Sequence, residues 1–133
     1  MTNDEEGTDM AASPVRAALR ERLSADRVRT QARIAALSRD FDAIVEANAL
    51  VAVDDEHDPE GSSTAFERQH LAALLAQSRA HLEELDAALR RLDDDEYGVC
   101  RVCGKAIPAE RLEIRPEATT CVPCADAAHR RGR

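Results

Sequence analysis

The sequence predicts a mainly α protein, in which a long antiparallel coiled-coil hairpin is followed by a small C-terminal module with four cysteines. Three observations predict this fold class. In two long segments, apolar residues recur at steps of three and four, which is the spacing of helices that pair along one face. A short acidic stretch separates these segments. The four cysteines of the chain all lie in two CxxC pairs near the C-terminus.

The amino-acid composition limits the possible functions. The chain has 133 residues, of which 2% are aromatic, and it contains no Trp, so a large enzyme core is not expected. No group of nucleophile, base and oxyanion-stabilising residues can be assembled, and we expect no enzyme. The net charge of −8 disfavours anionic partners such as duplex DNA or a membrane surface. Because no apolar run approaches the roughly 18 residues of a membrane span, we expect a cytoplasmic protein.

The N-terminal residues separate into a tail and the start of the first helix. Residues 1–12 are polar, acidic and without periodicity, which indicates a disordered tail. Ser13 is a candidate N-cap, and Pro14 suits the first helical position because its missing N–H is not needed there. No further Pro or Gly occurs before Pro59. The predicted hairpin therefore begins at residue 13 and extends to residue 96.

The first helical segment carries one apolar stripe. Its clearest positions are Ile34, Leu37, Phe41 and Ile44, preceded by Leu19 and Leu23. Arg27 and Thr30 occupy stripe positions between these two groups. Since polar side chains pack poorly in a coiled-coil seam, we expect the seam to loosen or kink at these two residues.

The second segment has a more regular heptad seam. Its positions are Leu71, Leu75, Ser78, Leu82, Leu85, Leu89 and Leu92. Thr64 and Glu67 match a capping box and mark one possible helix start, while Pro59 marks a competing, earlier start. The segment ends in acidic residues 93–96, which we interpret as solvated charge at a helix exit.

An acidic stretch at residues 54–61 joins the two segments and forms the predicted tip of the hairpin. Its length is that of a short loop, so the two seams must pack antiparallel within one chain. We accordingly expect a monomer. The candidate partner-binding residues at this tip are Asp54, Asp55, Asp58 and Glu60.

The cysteine pairs predict a zinc site. Cys100 and Cys103 form the first pair and Cys121 and Cys124 the second, with 17 residues between the pairs. This is the spacing of a structural zinc finger in which four thiolates complete the tetrahedral shell of one Zn²⁺ and leave no position open for a substrate. We expect residues 97–133 to form this module, with a short helix after Cys124. Oxidation of zinc-bound thiolates stays possible as a property of the site.

Two other interpretations of the cysteines are weaker. Disulfides need an oxidising compartment, but the first 30 residues carry several acids and no apolar export signal. A redox-active CxxC of the thioredoxin type needs a βαβ context, and none is visible near residue 100.

The residues around the cysteines resemble the zinc module of the DksA/TraR family of bacterial transcription regulators. The resemblance covers the run from Tyr97 to Pro108, then the Arg-Leu-Glu at 111–113, the Arg-Pro at 115–116 and Ala118, together with the cysteines. The predicted hairpin with its acidic tip is similar to the coiled coil of the same family, so the resemblance extends over about residues 14–130.

The family resemblance implies a function. It implies a protein that binds RNA polymerase and not DNA, with its coiled coil in the secondary channel and the tip carboxylates near the catalytic centre, where they modulate initiation. The family's tip is often Asp-x-x-Asp-x-Ala. Here Asp55 and Asp58 match both aspartates, and Glu60 stands at the alanine position.

Two alternative functions follow from parts of the sequence. A DNA-binding zinc finger is one, because GATA-type fingers share the spacing of the cysteines. Such fingers need basic flanks to neutralise phosphates, whereas the segment between these cysteine pairs mixes basic and acidic residues. The other alternative is a coiled-coil adaptor that dimerises through its leucines and is capped by the zinc module.

Overall fold

The computed structural model describes residues 14–51 and 59–132, with the backbone alone for residues 50, 51 and 59–62. In these residues the chain forms four helices: α1 (Pro14–Val51), α2 (Pro59–Asp93), α3 (Ala109–Ile114) and α4 (Val122–Arg131). One isolated antiparallel bridge joins Val99 and Ala106, and the described ranges contain no other β-structure. The prediction of a mainly α protein is confirmed. The predicted tail, residues 1–12, lies outside the described residues.

Both long helices begin at a proline. α1 starts at Pro14, as predicted, and α2 starts at Pro59, the earlier of its two candidate starts. The capping-box start at Thr64 is therefore wrong, since Thr64 lies inside α2. Proline is preorganised for the first helical position, and the residues after it allow the helix to propagate. One further turn thus forms ahead of the capping-box residues.

The chain divides into two compact units. The first comprises Met1–Arg27 and Glu83–Arg133, and we call it the terminal unit; the second comprises Val28–Leu82, and we call it the middle unit. α1 and α2 contribute to both units, whereas α3, α4 and all four cysteines belong to the terminal unit.

The terminal unit contains the best-buried apolar cluster of the described chain. Leu23 of α1 packs with Leu85, Ala88 and Leu92 of α2, and all four are at most 3% exposed. Leu19, Leu89 and Tyr97 pack against this cluster. At about 25 cal/mol per Å² of apolar surface removed from water, burial of each of the three leucines of the cluster, Leu23, Leu85 and Leu92, stabilises the unit by roughly 2 kcal/mol.

Arginines of α1 bind the C-terminal end of α2 in the same unit. Arg16 donates to the carbonyl oxygen of Leu92 at 2.5 Å and lies 3.4 Å from the carboxylate of Asp95, while Arg20 bonds the carboxylate of Asp93. Asp93 and Asp95 thus form ion pairs with α1, beyond the solvated charge that the sequence predicts at this helix exit. Both carboxylates remain more than half exposed, so solvent screens these pairs and their contribution to stability is small.

Arg27, a polar residue at a seam position of α1, pairs with an acid of α2. Its guanidinium nitrogen Nε lies 2.5 Å from the Asp86 carboxylate of α2, and both side chains are partly exposed. The order of contacts, Arg16 with Asp95 and Arg27 with Asp86, shows that the helices run antiparallel here. α1 is unbroken through Arg27 and Thr30, and at Arg27 a cross-helix partner pairs with the polar side chain at the seam.

The middle unit buries fewer side chains. Within it, Leu75, Ser78 and Thr30 are buried, and the other seam positions are half-buried: Ile34, Leu37, Phe41, Ile44, Leu71 and Leu82. A two-helix pair has no third element to cover its flanks, so complete burial is not available to most of these residues. The predicted seams are nevertheless the faces that the helices bury.

Candidate metal centre

The first cysteine pair lies in a tight turn closed by the Val99–Ala106 bridge. The Cys100 N–H donates to the Lys105 carbonyl at 2.8 Å, and the Gly104 N–H donates to the Cys100 carbonyl at 3.0 Å. Gly104 has a φ of +75°, a left-handed conformation that side chains with a Cβ rarely adopt. The glycine directly after the second cysteine therefore lets the chain reverse and brings both sulfurs to one side.

The second cysteine pair begins helix α4. Cys121 is the N-cap residue, Pro123 lies in the first turn, and the Ala125 N–H donates to the Cys121 carbonyl at 3.0 Å. The Arg101 N–H donates to the Thr119 carbonyl at 2.9 Å and so joins the two halves of the module. The sequence predicts a short helix from Cys124 onward, and the helix begins at Val122, two residues earlier.

These local structures bring all four sulfurs together. Sγ atoms of Cys100, Cys103, Cys121 and Cys124 lie within 4.8 Å of one another, and the Cys103 and Cys121 sulfurs are 3.8 Å apart. In a tetrahedral site with metal–sulfur distances of about 2.3 Å, neighbouring sulfurs are separated by about 3.8 Å. The cluster therefore fits one Zn²⁺. Cys100 is buried, Cys103 is exposed, and the other two are intermediate.

The thiols differ in how readily they ionise. Backbone N–H groups, first those of Cys103 and Cys121, stabilise the Cys100 thiolate and lower its pKa to about 6. The pKa of Cys124 is raised to about 12, chiefly by its hydrogen bond with the Cys121 sulfur and then by desolvation. When bound, Zn²⁺ holds all four sulfurs as thiolates and acts as a structural cross-link.

Two side chains connect the cysteine module to the two long helices within the terminal unit. Arg22 of α1 donates to the Glu113 carbonyl at 2.5 Å. Tyr97 packs against the apolar cluster of the helices, and its hydroxyl donates to the Pro116 carbonyl at 2.7 Å. Inside the module, Arg111 donates from Nε to the Thr120 carbonyl at 2.8 Å. Sequence reasoning did not assign these roles. Tyr97 carried a signal, since it is the sole tyrosine of the chain and precedes the first CxxC.

The predicted tip residues cannot be described in the same way. Asp54, Asp55 and Asp58 lie outside the described residues, and for Glu60 the structure describes only its backbone, in the first turn of α2.

Among the helices of the described ranges, none is long and apolar enough to cross a membrane.

Comparison with known proteins identifies the cysteine module. Residues 95–129 match the family model described as the prokaryotic dksA/traR C4-type zinc finger. An uncharacterized protein, YteA of Bacillus subtilis, is 39% identical over 66 residues, which are 50% of this chain and 28% of that protein. The RNA polymerase-binding transcription factor DksA of Haemophilus influenzae is 40% identical over 48 residues, 36% of this chain. The chain spans about a third of the length of these curated relatives.

A solved structure matches the fold more extensively. The structure of transcription factor DksA2 from Pseudomonas aeruginosa superimposes with a TM-score of 0.69 at 25% sequence identity. The match covers 96% of this chain and 98% of that chain, so it includes the long helices as well as the cysteine module.

Proposed function

Because residues 95–129 form a dksA/traR C4-type zinc finger on a chain with the DksA2 fold, we propose that this protein is a bacterial transcription regulator that binds RNA polymerase. The observation that carries the proposal is the extent of the structural likeness, since a zinc finger alone occurs on many scaffolds. Cys100, Cys103, Cys121 and Cys124 would hold one structural Zn²⁺.

The distribution of charge supports an acidic tip as the acting part. Residues 1–12 contain four acids and residues 52–60 contain five, and neither segment contains Lys or Arg. The remaining residues hold 17 acids and all 18 basic side chains, so their charge is nearly balanced. The net charge of −8 is thus concentrated in two short segments, one of which joins α1 to α2.

In the proposed mechanism the long helices carry this charge into the polymerase. The hairpin enters the secondary channel, and Asp54, Asp55, Asp58 and Glu60 approach the catalytic centre. Carboxylates near the polymerase's Mg²⁺ or its mobile elements change the kinetics of initiation through electrostatics, without making or breaking a bond. The regulator would therefore have no catalytic residue of its own, and it would act as a monomer in the bacterial cytoplasm.

The contacts within the cysteine module favour a protein partner over DNA. Arg111 is bound to the Thr120 carbonyl, and Arg115 lies 3.5 Å from the Glu117 carboxylate. A finger that reads DNA needs its cations directed at phosphates. Here two of the four basic residues between the first and last cysteine already have partners inside the module.

One experiment tests both the partner and the tip. The parent, the Asp55→Asn/Asp58→Asn variant and an Asp40→Asn/Glu46→Gln control are compared for co-purification with RNA polymerase and for their effect in a purified transcription assay. The control removes the same two charges from exposed positions of α1. All three should fold alike, because the sequence predicts a polar loop at the tip and the control positions are exposed, and surface substitutions rarely change stability by more than about 0.5 kcal/mol.

We expect all three proteins to bind the polymerase, and only the tip variant to lose its effect on transcription. A parent that does not bind the polymerase would refute the proposed partner. Equal transcriptional effects of the parent and the tip variant would refute the tip mechanism but leave the partner intact. Binding of duplex DNA at physiological salt, without the polymerase, would favour the zinc-finger alternative.

A further inference from the structure

Arg91 in the last turn of α2 faces the cysteine module. Its Nη2 atom donates to the Val99 carbonyl at 2.8 Å and to the Glu96 carbonyl at 3.5 Å. With Cys100 and Arg101, it also lines a cavity of about 590 Å³ at the junction of α2 with the module. Arg91 is thus bonded to the residue that directly precedes the first cysteine.

The guanidinium of Arg91 lies in an unfavourable environment for a cation. Burial lowers its pKa most, and the nearby charge of Arg101 lowers it further, while negative charge on Glu96, Tyr97 and Cys100 opposes the shift. Its Nη1 atom is buried and has no hydrogen-bond acceptor among the described residues. Nearby negative charge stabilises a partly buried cation of this kind.

The cysteine cluster supplies such a charge when it is loaded with metal. Four thiolates and one Zn²⁺ have a net charge of about −2, and this charge is partly removed from water because Cys100 is buried. Asp94, Asp95 and Glu96 line the same cavity as Arg91, but all three are exposed, so solvent screens their attraction. Arg91 and the loaded cluster therefore reduce each other's electrostatic cost.

We propose that Arg91 is a positioning residue of the zinc site, whose positive charge offsets the excess negative charge of the four thiolates and whose bond to Val99 holds the first cysteine turn. Arg91 is not one of the four ligands; it would act through the backbone at Val99 and through its charge in the cavity it shares with Cys100. Groups of this kind commonly change metal affinity by about 10- to 100-fold when they are removed. The inference concerns zinc retention and holds whether or not the polymerase is the partner.

The chain offers a matched set of variants. Arg91→Gln removes the charge and keeps an N–H donor, Arg91→Lys keeps the charge, and Arg90→Gln removes the same charge from the exposed neighbouring position. For each full-length protein, zinc affinity is measured by competition with a chromophoric chelator. The thiolate-to-cobalt charge-transfer band is then recorded at saturating Co²⁺, and circular dichroism at saturating metal verifies helix content.

We expect Arg91→Gln to weaken zinc binding by roughly 10-fold, with Arg91→Lys and Arg90→Gln close to the parent. The charge-transfer band of Arg91→Gln should move to lower energy, because thiolate electrons are less stabilised without the nearby cation. An equal loss of zinc affinity in Arg91→Gln and Arg91→Lys, with no shift of the charge-transfer band, would mean that Arg91 acts only through its hydrogen bonds and packing, and not through its charge. Equal losses in Arg91→Gln and Arg90→Gln would mean that net charge alone matters. Either result, or a parent-like Arg91→Gln, would overturn the proposal.

Discussion

The two units of this protein are built from the same two helices but are stabilised differently. The terminal unit has a fully buried apolar cluster around Leu23 and Leu85, arginine contacts between helices, and the four-cysteine site. In the middle unit most seam residues are only half-buried. Of the three side chains buried among its described residues, Thr30 and Ser78 are polar. Stability is therefore concentrated in the terminal unit.

The difference in burial suggests that the two units have different roles in stability and in binding. A pair of helices has little interior, so it cannot be stabilised as strongly as a unit that also contains two short helices and a metal site. Such a pair can, however, present nearly all of its side chains to a partner. In the proposed regulator, the terminal unit holds the fold and the middle unit supplies contact surface.

The largest expected effect comes from breaking the metal site. Cys121→Ser should lose stoichiometric zinc and the cooperative unfolding of the terminal unit, because structural zinc contributes on the order of 10 kcal/mol to small modules. Part of the helical signal should persist, since the middle unit contains no cysteine. Metal analysis and thermal melting followed by circular dichroism measure both quantities. Thr119→Ser, a mild change in the same module, is the control. A Cys121→Ser variant that binds zinc and melts like the parent would exclude the four-thiolate site.

A second comparison uses one leucine from each unit. Leu85 is 0% exposed in the terminal unit, whereas Leu71 is half-buried in the middle unit. Leu85→Ala should cost about 2–5 kcal/mol, the usual range for a fully buried leucine, and Leu71→Ala should cost clearly less. Urea unfolding at saturating zinc gives both values. Equal losses of unfolding free energy in the two variants would show that both units are packed equally well, against the difference in burial between them.

The features that the sequence predicted are those encoded by local spacing. The heptad from Leu71 to Leu92 identified the buried face of α2, and the CxxC spacing identified the residues that the fold brings together. In both cases the periodicity or spacing itself carries the geometry, so that no knowledge of a distant partner is needed.

The features that were missed depend on contacts between distant segments. Arg16 and Arg20 pair with acids more than 70 residues away, and Arg22 bonds a carbonyl near the end of α3. Which arginine meets which acid depends on the register of two helices, and a single sequence does not specify that register. The start of α2 was ambiguous for another reason: Pro59 and Thr64 are both acceptable starts, and propagation of the helix decided between them.

Tyr97 has a smaller expected effect; its ring packs against the apolar cluster of the helices, and its hydroxyl bonds the cysteine module. Tyr97→Phe removes the hydrogen bond to the Pro116 carbonyl and should cost about 1 kcal/mol in urea unfolding. Burial raises the pKa of Tyr97 above its usual value. The folded state therefore keeps the phenolic proton to higher pH than the unfolded state, whose pKa is about 10. This contribution to stability is present below about pH 10 and is lost as the pH rises through the folded-state pKa.

The titration of Tyr97 can be followed directly, because the chain has one Tyr and no Trp. Phenolate absorbance of the folded protein should rise at higher pH than in the urea-unfolded protein. Coincident titration curves would mean that Tyr97 is solvated and does not hold the module against the helices.

The smallest expected effect on stability is at Phe66, which is 75% exposed on α2 in the middle unit. Phe66→Ala loses little burial, and alanine is the better helix former by about 0.5 kcal/mol, so the variant should be as stable as the parent or slightly more stable. An exposed aromatic ring that does not stabilise its own fold is well suited to a protein partner. We therefore expect Phe66→Ala to weaken polymerase binding, measured by titration with labelled protein, while unfolding in urea is unchanged. Val28→Ala, at a position 64% exposed on α1, is the matched control. Its stability should change as little as that of Phe66→Ala, and its polymerase binding should change less, because valine offers less contact area than an aromatic ring. A loss of stability in Phe66→Ala, or polymerase binding equal to that of the control, would contradict the view that the middle unit is a contact surface.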